Sequence, residues 1–100
     1  MNAPLLVLLR ASDWGTRHQA VGLALTAAAF GHRVVVALSG EALRAMLDEG
    51  RRDLGVEVVA CETEVRLAGL EPEAARRTLD ALRSLPEQWR GAVEGRVLAF

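Results

Sequence analysis

One side chain in this sequence is a candidate nucleophile: Cys61, the single cysteine of the chain. The thiolate is the reactive form, and thiolate is favoured where a strand hands over to a helix whose first amides have no intrahelical partner. The run VEVVACETEV, residues 56 to 65, has that form, with the amides of Glu62 and Thr63 as electrostatic support for Cys61. Glu62 and Glu64 act in the opposite sense, because neighbouring carboxylates disfavour another anion. The alternative for Cys61 is structural, since free cysteine is among the most buried residue types. Between the first apolar run and the first helix lie Ser12, Asp13, Trp14, Thr16 and His18. His18 is either a proton partner for Cys61 or an exposed residue of a helix's first turn, and the second reading is favoured. Asp13 is an orienting carboxylate or an ordinary turn residue. Trp14 marks contact with a ligand or partner, or covers the sheet edge. His32 follows a glycine helix stop and is assigned no chemistry.

Several chemistries are excluded. All 12 basic residues are Arg and none is Lys, which removes Schiff-base and phosphate-loop lysine mechanisms. No G-x-G-x-x-G follows the first strand, so no dinucleotide cofactor is expected. One Cys and two His are not spaced as a metal-ligand set, so no metal is expected. A receiver-type phosphoacceptor role for Asp13 lacks its acidic cluster and its lysine. The net charge of -1, with Arg spread along the chain, offers no basic face for nucleic acid or membrane. A lone cysteine makes no internal disulfide, and the opening MNAPLLVLLR has neither a basic n-region nor an apolar run of membrane length. A soluble, cytoplasmic protein is expected.

The elements that must position these residues follow from apolar periodicity. One hundred residues, 51% hydrophobic and 25% charged, fit one compact domain. Leu5 to Leu9 is an unbroken apolar run, as in a strand buried on both faces. Thr16 and Gln19 form a capping box that starts a first helix, and from Arg17 to Phe30 the residues that interrupt its apolar character, Gln19, Gly22 and Thr26, share one narrow stripe. Gly31 stops it, and Arg33 to Leu38 forms a second strand. Ser39 caps a second helix with Glu41 in its first turn and Leu43, Met46 and Leu47 on its inner face, ended by Gly50. Val56 to Ala60, bounded by Gly55, is a third strand. Pro72 starts another helix with Ala75, Leu79 and Leu82 on one face, and Pro86 stops it. Trp89 and Val93 suggest a further helical turn over Glu87 to Glu94, and after Gly95 the residues Val97 to Phe100 form a terminal strand.

This alternation specifies a three-layer α/β fold with a mostly parallel sheet and helices on both faces. A flavodoxin-like order is expected, in which the first strand lies between the second and third. The loops after Leu9 and Ala60 would then flank one crevice at the carboxyl edge, bringing Ser12, Asp13, Trp14, Thr16 and His18 towards a partly accessible Cys61.

A cysteine closing the third strand, then an apolar and basic helical segment with Arg66, then Gly69 eight residues on, resembles the DsrE/DsrF/TusD family over the first seventy or so residues. The resemblance implies a similar sheet with the cysteine at its edge. It also implies an intracellular sulfur carrier or sulfurtransferase-type protein that holds a persulfide on Cys61 and passes it to a partner's thiol. Sulfur donor and acceptor proteins, and a homo-oligomer (a trimer or hexamer), follow from the same likeness. The first helix, apolar over most of its circumference, points to self-association as well. The other reading is a non-catalytic binding or assembly module of the same fold in which Cys61 is structural.

Overall fold

The computed structural model describes residues 5–49, 56–73, 79–83 and 96–100, with side chains except at 46–49 and 81–83. The elements run β1 (Leu5–Leu9), α1 (Trp14–Ala29), β2 (Val34–Leu38), α2 (Gly40–Glu49), β3 (Glu57–Cys61), α3 (Glu62–Leu67), β4 (Ala81–Arg83) and β5 (Arg96–Ala99). The strands form one sheet in the order β4-β3-β2-β1-β5, and every pairing is parallel. The α/β class read from the alternation of elements is the class observed. Gly50, Gly55, Ala75, Pro86, Trp89, Val93 and Gly95 lie outside the described residues, as do the side chains of Met46 and Leu47.

The expected strand order is corrected. β1 lies between β2 and β5, and β3 lies between β2 and β4. The place beside β1 is taken by the terminal strand: the Phe100 N–H donates to the Leu8 carbonyl at 2.7 Å, and the Arg10 N–H donates to the Phe100 carbonyl at 2.9 Å. Periodicity marks both 56–60 and 97–100 as short apolar strands and does not say which of them borders β1. From β1 to β4 each connection steps the same way across the sheet, and right-handed crossovers keep such connections on one face. Accordingly Ala20 and Ala24 of α1, Ala42 and Leu43 of α2, and Val65 of α3 share a core cluster with Leu5, Val7, Leu9, Val34, Val36, Leu38, Val58 and Ala60. The alternate residues Leu6, Val35, Ala37 and Val59 form a second cluster on the opposite face, as the two-residue strand period requires. Truncating a fully buried core residue such as Leu9 or Leu43 to alanine costs about 2–5 kcal/mol.

Two element boundaries differ from expectation. The N-cap of α1 is Asp13, not Thr16: the Thr16 N–H donates to Asp13 Oδ2 at 2.9 Å, so the helix starts at Trp14 and Thr16 becomes its third residue. An Asp at the cap satisfies one of the four amides that begin every helix, and this one outcompetes the later Thr. The helix expected from Pro72 to Pro86 is overturned at its far end, because Ala81–Arg83 is a strand and Leu79 and Asp80 form a bend. Asp80 explains the switch. Its N–H donates to the Val58 carbonyl at 2.8 Å, and its carboxylate accepts the Val58 N–H at 2.6 Å, which starts a ladder where the apolar spacing alone suggested a helical face.

Candidate functional site at the carboxyl edge of the sheet

Cys61 is the last residue of β3 and the N-cap of α3, with extended dihedrals of φ -77° and ψ 128°. The strand-to-helix junction read from the sequence is therefore present, and the thiol makes no capping hydrogen bond to the helix. The expected accessibility is not: Cys61 is 2% exposed. Strand alternation puts its side chain on the face of Val59, the side occupied by Leu6, Val35 and Ala37, while Ala60 turns towards the helices. On its flank the register places Arg83 of β4 level with it.

The residues after the cysteine arrange themselves along α3. Glu62 pairs with Arg66 one turn on, Oε1 to guanidinium 3.1 Å, so this carboxylate is directed along the helix surface. Burial raises the Glu64 carboxyl above its ordinary range by penalising the charged form. Thr63 is exposed. The helix ends in a Schellman motif: the Leu70 N–H donates to the Val65 carbonyl at 3.1 Å and the Gly69 N–H to the Arg66 carbonyl at 3.0 Å, with Gly69 at φ +74°. The stop at Gly69 was thus visible as a glycine in the sequence. Arg44, reaching from α2 to the Ala68 carbonyl, was not, since nothing in its spacing announces a partner in another helix.

The remaining candidates cluster around the start of α1. Ser12 Oγ donates to Glu41 Oε2 at 3.1 Å, which ties the β1–α1 loop to the first turn of α2. Glu41 was read only as a helix-dipole partner. Asp13 caps α1 through the Thr16 amide, and that hydrogen bond holds its carboxyl below the usual range. Trp14 is 72% exposed and belongs to the helix rather than the loop; its ring stacks on His18, one turn on, at 5.0 Å and 9° between planes. His18 is exposed, as favoured, but with the helix starting at Trp14 it is the fifth residue rather than one of the first turn. Because β2 intervenes, this group belongs to β1 and α1 while Cys61 belongs to β3, and the two strands lie roughly 10 Å apart at the 4.8 Å spacing of a sheet. Ser12, Asp13, Trp14, Thr16 and His18 are brought together with one another; Cys61, Glu62 and Thr63 form a separate group across β2.

Among the described residues no cluster of three His, Cys, Asp or Glu is placed to hold a metal ion, and no helix is long and apolar enough to cross a membrane.

No protein-family model matches the chain, and no curated protein matches it. Its three-dimensional form is nevertheless shared with solved structures, and the fold is DsrE-like. One such structure is that of the ychN protein from E. coli, which covers 100% of both chains with a TM-score of 0.72 at 16% identity. At that identity the likeness concerns the fold alone.

Proposed function

We propose that this chain is a non-catalytic α/β module of DsrE-like fold that works by binding and self-assembly, with Cys61 as a packing residue. The observation that carries this reading is the 2% exposure of the one nucleophilic side chain, since a reactive cysteine sits in a partly exposed, electropositive setting and a buried structural one is inert. Self-assembly into a homo-oligomer, a trimer or hexamer, is supported by apolar side chains left in solvent. On α1 only Ala20 and Ala24 are fully buried, whereas Leu25 is 41% exposed and Phe30, at the helix's C-cap, 79%. Leu67 on α3 is exposed to a similar degree.

A second reading is favoured by one specific feature, the uncapped N-terminus of α3 at Cys61. In it Cys61 is the acceptor of a sulfur carrier or sulfurtransferase-type protein. Its thiolate attacks the outer sulfur of a donor's persulfide, an S–S bond forms on Sγ as the donor's S–S bond breaks, and the donor leaves as a thiolate. Attack by an acceptor protein's thiol reverses the exchange. Incubating the protein with a persulfide donor and reading intact mass separates the two readings: an unchanged mass supports the packing role, and gain of one sulfur on wild type but not on Cys61→Ser establishes the carrier.

A further inference from the structure

The shortest of the strands among the described residues pairs beside the one thiol. β4 has three residues, stands at one end of the strand order among the described strands, and pairs Val59, Ala60 and Cys61 with Ala81, Leu82 and Arg83. At its entry Asp80 bonds Val58 twice. Asp80 accepts the Val58 N–H at 2.6 Å on its carboxylate and donates its own N–H to the Val58 carbonyl at 2.8 Å. A carboxylate here holds the amide that a carbonyl of a longer strand would hold, and a charged acceptor makes the stronger bond.

We propose that β4 is a strap on the edge of β3, latched by Asp80 onto Val58, whose local release sets how fast Cys61 meets reagents in solution. Short edge elements open with less free energy than the interior of a sheet. Lifting three residues uncovers the flank of Ala60 and Cys61 and leaves the β1–β2–β3 ladder intact. On the other side β3 pairs with β2 as far as Ala60, and the β2 positions from Val34 to Leu38 are all buried, so opening there would breach the core. The inference rests on the burial of Cys61 and holds whichever role the thiol has.

The test follows the reaction of Cys61 with a small disulfide reagent in the full chain at increasing urea. For wild type the expected rate is flat at low urea and rises only where global unfolding takes over. Asp80→Ala raises the flat-region rate about ten-fold or more, and Asp80→Asn, which keeps a carbonyl acceptor, falls between. Val7→Ala, in β1 two strands from β3, lowers global stability and leaves the flat-region rate unchanged. The strap is refuted if Asp80→Ala labels at the wild-type rate, or if labelling tracks global unfolding at every urea concentration so that Val7→Ala accelerates it throughout. Should Asp80→Ala not fold, the wild-type urea dependence and Asp80→Asn decide by the same criteria. Sulfur uptake is not read in this experiment, so failure of the strap leaves the proposed function standing.

Discussion

The imidazole of His18 lies flat against the indole of Trp14, with centroids 5.0 Å apart and planes within 9° of parallel. Residues four apart on a helix meet this way, and the contact commits His18 to the surface of α1. His18→Ala is therefore expected to change the intrinsic fluorescence of Trp14 while leaving the rate of Cys61 labelling at the wild-type value. A histidine variant that stayed folded yet altered thiol reactivity several-fold would show that the ring reaches across β2.

The cap of α1 gives the fold a pH dependence of definite sign. The Thr16 amide holds the Asp13 carboxyl below its ordinary range, so the folded state favours the charged form. That contribution is complete above the unfolded carboxyl's pKa of about 3.9 and is lost as pH falls through the lower folded value. Urea unfolding of Asp13→Ala against wild type should show a deficit at neutral pH that closes in strong acid, with Asp13→Asn closer to wild type because Asn also caps. A deficit independent of pH would mean that the carboxylate's charge plays no part.

Gly69 sits at φ +74°, and a Cβ built there meets nothing within 4 Å. The cost of Gly69→Ala is thus backbone strain alone, about 1–2 kcal/mol, read as a lower urea midpoint with an unchanged slope. Stability equal to wild type would show that the Schellman turn relaxes without penalty.

The outward side chains of α1 give a test of assembly. Light scattering is expected to return a multiple of the 10.8 kDa chain mass, and Phe30→Glu to lower it. A mass of one chain at working concentration would remove self-assembly from the account.

What the residues announce by themselves is local. The buried strand at Leu5–Leu9, the stop at Gly69 and the strand-to-helix junction at Cys61 each follow from neighbouring residue types. The cap passed from Thr16 to Asp13 because two good capping residues stood three apart, and hydrogen-bond geometry chose between them. β4 was hidden because Leu79 and Leu82 suit a helix face, while the determinant is a long-range bond from Asp80 to Val58. The burial of Cys61 was hidden for a related reason: it depends on what packs against the end of β3 from elsewhere in the chain, which is not a property of the residues around position 61.

The central claim, that Cys61 is a packing residue, is tested most directly by titrating the native protein with a chromogenic disulfide reagent at neutral pH and repeating the titration in denaturant. The expected result is slow release in native buffer, on the time scale of local opening, and one equivalent at once when unfolded. One full equivalent released immediately by the native protein would contradict the packing role and return Cys61 to the status of a standing nucleophile.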